Sequence, residues 1–417
     1  MNNLRHRLSF PGLPLSKAAL WIVTAGFLAG MFSYHHWTRT KNGERGVIKW
    51  DVISYYAYLP ATFIYGDVGL GFLDKDRAPE GFVNDNKFWP VEPGDGTRVI
   101  QTTMGLAYLY SPFFFAAHAL APVFGEPRDG FGSIYQFFLA LSPVVFAVLG
   151  LFALRRILLR YFPDRPVALV LFLVGLGTNL FFYVVHDGPM THAYNFALLI
   201  FFLEGVHRWY ERPGFLRSAL LGLLFGLIVL IRPTNLLAGL LLVGWKVSGW
   251  GELKERVRFL LGRFPQLGIL ALCFLLPWIP QFLYWKSVTG SFLFNSYGPG
   301  GSSFYFGAPH ILDLLFSFRS GWYLYTPVMA VATLGLVFLW KKNRGLALPL
   351  ALTWQRKSTS WPAGGRGGTG AASGSAPSWI STGSWPFPWP HSRKRFWRFA
   401  RKASGPVSWP VWCFWST

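Results

Sequence analysis

The chain has 417 residues, of which 52% are apolar, 18% aromatic and only 14% charged, a balance that excludes an ordinary soluble domain and points to a membrane protein. The formal net charge of +21 does not signal a nucleic-acid partner, because the basic residues fall mostly in short loops between apolar runs and form no basic face or binding motif. Two cysteines, Cys273 inside an apolar run and Cys413 near the end, imply neither a disulfide framework nor a Cys-based metal site.

The first element follows a basic start. An apolar run at 17–34 lacks a small-x-small cleavage site, so it reads as a retained helix rather than a removed signal. Further runs predict spans at 132–154, 166–185, 190–206, 216–231, 235–249, 267–285, 322–340 and a partial one from 345, against the about 20 helical residues a bilayer core requires. The expected fold is an all-α polytopic membrane protein with about nine transmembrane helices.

Charge orders the loops. Arg5, Arg7 and Lys17 precede the first span; Arg155, Arg156, Arg160 and Arg165 follow the second. Arg208, Arg212 and Arg217 follow the fourth, Lys254, Arg256, Arg258 and Arg263 the sixth, and Lys341, Lys342 and Arg344 the eighth. All fall on one side if the N-terminus is cytoplasmic and the protein is a multi-pass component of the cell (inner) membrane. Residues 104–125 are apolar enough to span, yet a span there would invert every later loop. They are therefore expected to be re-entrant or interfacial, broken by Pro112 and Pro122, within a long first outer loop, 35–131.

Candidate site residues then gather on the outer face. Asp51, in "KWDVISYYAYLPA", is either the N-cap of a helix or a general base at the mouth of a membrane-embedded site. A helix from Asp51 would carry Tyr55, Tyr58 and Leu59 on one side as an aromatic surface for the membrane interface, with Tyr56 beside them. "HDGPMTH" places His186, Asp187 and His192 at a turn; it is either turn chemistry around Gly188-Pro189 or part of the site, with Asp51, Asp187 and His186 the candidate metal ligands. Arg232 ends an apolar helix just before Pro233. A cation at that depth suits a phosphate or carboxylate partner, and the alternative is snorkelling to the interface. Arg319 repeats the arrangement beside an aromatic belt. The Gly-rich stretch 295–310 matches no phosphate-loop pattern and is either a substrate-covering loop or a connector.

Together "WDVISYYAYLP", "GLAYLYSPFFFAAHALAPVFG", "HDGPMTHAYNF" and "RPTN" resemble the GT-C-type membrane glycosyltransferases, the class that includes protein mannosyltransferases and lipid A aminoarabinose transferases. The resemblance covers 17–340. It implies transfer of a sugar from a polyprenyl-phosphate donor to a glycan, lipid or protein acceptor on the non-cytoplasmic face. Asp51 would be the base and Arg232 the ligand of the lipid phosphate, with Arg319, Tyr55, Tyr56, Asp187 and His192 around the substrates. Val52 stands where the class often has a second acid, which bears on use of a divalent metal; no other cofactor is implied. The alternative is a transporter or flippase for a lipid-linked or anionic substrate, although no inverted repeat is visible.

The text changes character after Trp354. Residues 355–417 hold nine Lys or Arg, no acid and eight of the chain's 20 tryptophans. A basic tail touching anionic lipid is one reading. A shifted reading frame near 355 is the other, which separates a membrane domain, 1–354, from an anomalous tail.

Overall fold

The computed structural model describes residues 13–35, 37, 46–74, 96–296, 311–316 and 321–342, with isolated positions between 77 and 93 and at 344, 345 and 347. Among the described residues the secondary structure is helical, apart from one isolated antiparallel bridge between Val91 and Val99. The helices are α1 (Leu15–Tyr34), α2 (Asp51–Tyr56), α3 (Tyr58–Phe63), α4 (Gly105–Leu120), α5 (Ser133–Leu158), α6 (Asp164–Leu176), α7 (Leu180–Val185) and α8 (Thr191–Glu211). They continue as α9 (Phe215–Ile231), α10 (Gly239–Gly244), α11 (Trp250–Leu261), α12 (Phe264–Leu275), α13 (Ile279–Thr289), α14 (Ile311–Phe316), α15 (Trp322–Tyr325) and α16 (Pro327–Lys342).

Four helical stretches among the described residues are long and apolar enough to cross a membrane: Leu15–Tyr34, Gly105–Phe124, Ser133–Leu158 and Phe264–Thr289. The nine-span expectation is therefore met in part. Its largest departure is 235–249, where the apolar helical stretch is only Pro233–Gly244. At 1.5 Å per residue those 12 residues cover about 18 Å, well short of a 30 Å core. A second departure concerns 104–125. Pro112 does not break α4, which runs through it. The helix tightens to a 3₁₀ turn only over Ala121–Phe124. Yet α4 meets α5 through Phe114 on Tyr135 (5.7 Å), near the start of α5, and Phe113 on Phe146 (6.3 Å), at its middle.

Side-chain contacts order the helices into a row. α1 and the α6–α7 pair run in the same direction, with Ser16 bonded to Asp164, Val23 against Gly175 and Gly30 against Val185. α5 returns beside α1, its Arg155 Nε donating to Ser16 Oγ at 2.7 Å. α8 follows α5, from the Ser142–Tyr194 hydrogen bond to the fork in which Arg160 holds Glu204 at 2.6 and 2.8 Å. α9 runs back along α8, from Trp209 Nε1 donating to Ser218 Oγ (2.8 Å) to Asn195 accepting from Asn235 (3.0 Å).

α9 and α12 lie closest together. A methyl added at Gly222 would overlap the carbonyl oxygen of Leu270, and one at Gly226 that of Phe274. The pair is a small-xxx-small motif: two glycines one turn apart let the backbones touch, which drives helix association where lipid removes the hydrophobic drive. This motif escaped the sequence reading above, although its spacing is plain in "GLLFG".

Two ends result. The arginines of α5, α6, α8, α9 and α11 collect at one of them, linked by Arg160–Glu204, by Arg217 donating to the Arg208 and Arg212 carbonyls, and by Arg256 stacked on Tyr210 at 4.0 Å. The sequence expectation that these loops share a side is met. Asp51, Asp187 and Arg232 occupy the other end. Replacing Gly226 by Val is expected to force α9 from α12 and lower the unfolding midpoint of the purified protein by several degrees, while Gly251→Val, where a side chain meets open space, leaves it unchanged.

Candidate functional site

The site grows from a helix that stops. α9 ends at Ile231, and Pro233 lacks the amide that would continue it. Arg232 turns extended, at φ −147° and ψ 113°, and Pro233–Ala238 form a 3₁₀ turn. A stop inside apolar surroundings leaves carbonyls that need donors. Asn235 Nδ2 donates to Ile228 O at 3.1 Å and to Asn195 Oδ1 at 3.0 Å. Its amide donates to Arg232 O at 2.8 Å, and the Thr103 hydroxyl donates to Leu230 O. Gly105 lets α4 begin directly on the break, since a methyl there would lie 2.6 Å from the Ile231 nitrogen. Gln281 Oε1, wholly buried, receives the Met104 amide at 2.7 Å. The Arg232 side chain is half-buried within this polar collar.

Asp51 arrives from the other direction. It opens α2 just after Trp50, whose φ of 56° and ψ of −134° place a non-glycine residue in a strained region costing on the order of 1–3 kcal/mol. Surrounding structure holds that strain in place. The Tyr56 hydroxyl donates to Gly130 O, Tyr58 donates to Thr102 O at 2.7 Å, and Gln136 Oε1 receives the Val47 and Ile48 amides at 2.8 and 2.9 Å.

Asp51 remains reachable from solvent, yet the protein crowds it enough that loss of water pushes its carboxyl above the usual aspartate value. The Arg232 charge pulls the other way and Asp187 adds to the rise. These opposing effects join Asp51, Asp187 and Arg232 in one electrostatic group.

Asp187 lies 3.5 Å from His186 Nδ1, both about one quarter exposed. The His186 ring stacks on Phe182 at 4.8 Å and meets Tyr34 edge-on at 5.4 Å. His192 is buried in the first turn of α8, stacked on Tyr183 at 3.5 Å. Tyr183, stacked on His192, also feels the charges of Asp187 and Arg232. Sequence reasoning missed Tyr183, Asn195, Asn235 and Gln281. Asn195 and Asn235 lay within the quoted stretches "HDGPMTHAYNF" and "RPTN" without being singled out, and Gln281 was a lone polar group inside an apolar run.

Several expectations need correction. Tyr55, Tyr58 and Leu59 do not form an interfacial surface; all are buried, as is Tyr56 at 1% exposure. These tyrosines anchor α2 against the bundle. Arg319, most of the Gly-rich loop (297–310) and the tail 355–417 lie outside the described residues. Among the described residues no group of three or more His, Cys, Asp or Glu could hold a metal ion.

No family model, curated protein or solved structure matches the chain.

The raised Asp51 value has a thermodynamic sign. Below the ordinary value of 3.8 the carboxyl is protonated in folded and unfolded chains alike, and its contribution to stability is fully present. As pH rises through the elevated folded value the unfolded chain ionises more easily and that stability is lost. Asp51→Asn is expected to raise the unfolding midpoint at pH 7, with the gain vanishing as the pH falls to 3.8. Thermal unfolding across pH measures both.

Proposed function

We propose that the protein transfers a sugar from a polyprenyl-phosphate donor to an acceptor on the non-cytoplasmic face of a cell membrane. The observation that carries this reading is the grouping of Asp51, Asp187 and Arg232 at the stop of α9. The 17 residues of α9 cover about 26 Å, so Arg232 lies a few ångströms short of a 30 Å core's far edge. A guanidinium held at that depth suits the phosphate of a lipid whose tail stays in the bilayer, and its planar fork suits two phosphate oxygens.

In this mechanism Asp51 removes the proton from the acceptor hydroxyl. The acceptor oxygen bonds to the anomeric carbon, and the bond from that carbon to the phosphate oxygen breaks. The leaving phosphate takes the bonding pair while Arg232 offsets its growing charge. Crowding and Asp187 raise the basicity of Asp51, which favours proton capture. His192 and Tyr183 position the charged turn.

The test separates binding from chemistry. Arg232→Lys is expected to weaken polyprenyl-phosphate binding roughly tenfold, and Arg232→Ala up to a hundredfold, because an ammonium cannot reproduce the fork. Asp51→Asn should bind the lipid normally and lose transfer by about 10²–10⁴-fold. Unchanged lipid affinity in Arg232→Ala would remove the basis for a lipid-linked donor. Substrate movement across the bilayer without transfer would favour a flippase.

The sidedness has its own measurement. In a background lacking Cys273 and Cys413, Glu92→Cys, on an exposed loop position, should react with an impermeant thiol reagent in intact cells. Arg258→Cys, exposed on α11, should react only after the membrane is opened.

A further inference from the structure

The end opposite Asp51 carries a feature the proposed transfer does not use. Arg160, Arg208, Arg212 and Arg217, with Glu211, line an open concavity of about 530 Å³ where α5, α8 and α9 meet. Glu204 orients two of the guanidiniums. Arg160 grips it with both terminal nitrogens at 2.8 and 2.6 Å, and Arg208 Nε donates to it at 2.6 Å. Arg217 Nη1 is fixed by the carbonyls of Arg208 (3.1 Å) and Arg212 (2.7 Å), which close the α8–α9 turn. His207 turns Glu211 aside, its Nε2 lying 3.2 Å from the carboxylate. Among the described residues no hydrogen bond or ion pair engages the Arg212 guanidinium. Four guanidiniums against two carboxylates leave an excess of positive charge and many undirected N–H donors, in the fork geometry that matches phosphate oxygens.

The neighbourhood indicates where that phosphate comes from. α11 packs beside the end of α8 through Phe259 on Trp209 (6.1 Å) and Tyr210 (5.6 Å), and it buries none of its own residues. Around it Trp250, Leu261 and Phe264 are 79%, 68% and 74% exposed, while Glu252, Lys254, Glu255 and Arg258 give it a charged side. A helix of that pattern lies in a membrane interface, at the depth of the lipid headgroups. We propose that the Arg-lined concavity binds the phosphate of an anionic phospholipid headgroup, as a site separate from Asp51 and Arg232. Basic pockets between spans take such headgroups through charge and bidentate hydrogen bonds together.

The full chain in neutral detergent is titrated with short-chain phosphatidylglycerol, short-chain phosphatidylcholine and inorganic phosphate, and heat of binding is measured. Phosphatidylglycerol should bind clearly tighter than the other two. Arg212→Ala should weaken it about fivefold, and Arg212→Glu by more than tenfold. Arg212 is exposed, so the unfolding midpoint should not move. Arg165→Ala, which removes an exposed cation at the same end but outside the concavity, should leave affinity within about twofold, and it carries the same basic tail. Equal losses in Arg212→Ala and Arg165→Ala would overturn the site in favour of a diffuse basic surface. Inorganic phosphate binding as tightly as phosphatidylglycerol would overturn the lipid source, and no dependence on Arg212 would overturn the proposal entirely.

Discussion

A backbone that stops being helical among apolar side chains must find donors for the carbonyls it frees, and that requirement shapes one end of this molecule. α9 could not end at Ile231 without Asn235 and Thr103 to meet the carbonyls of Ile228 and Leu230. Asn235 in turn needs Asn195 from α8, and Thr103 brings the start of α4. Gln281 fixes the Met104 amide and so ties α13 to the same point. Four elements converge on one unfinished helix. The Arg232 guanidinium is displayed where they meet.

The two ends of the bundle solve different problems. At the arginine-rich end, ion pairs such as Arg160–Glu204 and ring stacking such as Arg256 on Tyr210 organise cations where water is near. At the Asp51 end the charges of Asp51, Asp187 and Arg232 act on one another where protein crowds out water. Between them the helices approach by loss of side chain rather than by interlocking bulk, most closely at Gly222 and Gly226. Such contacts leave the backbones little room to slide, so the distance between the ends is held by helix geometry. Strain at Trp50 is affordable in that setting because Tyr56, Tyr58 and Gln136 secure both flanks of the turn.

Helix positions were legible in the sequence because long apolar runs leave little choice of structure. The 216–231 run matches α9 closely, and the basic residues that follow α5, α8 and α10 do gather at one end. Asp51, Asp187 and Arg232 could be singled out as charges beside apolar runs, and the structure brings them into one electrostatic group. What failed was the choice between lipid and protein as the neighbour of an apolar face. Tyr55 and Tyr58 have the composition of an interfacial belt, and composition cannot show that α4 and α13 cover them. Pro112 was over-weighted as a breaker, since a helix tolerates proline when adjacent helices surround it. The second layer around the site was hidden because a lone Asn or Gln within a hydrophobic stretch carries no spacing pattern.

The short return from Arg232 to α11 has a consequence for the surrounding lipid. Pro233–Gly244 is 12 residues long, and α9 only 17, beside an α5 of 26. Neighbouring parts of one protein therefore present different hydrophobic lengths to the same bilayer. Lipid meets a short segment by thinning, at a cost of fractions of a kcal/mol per ångström. A bilayer that thins beside α9 and α10 would bring its headgroup plane inward, toward the level of Arg232. Acyl-chain length then sets how much work that dimple requires, which makes membrane thickness a control on the depth at which the Arg232 guanidinium meets the headgroups.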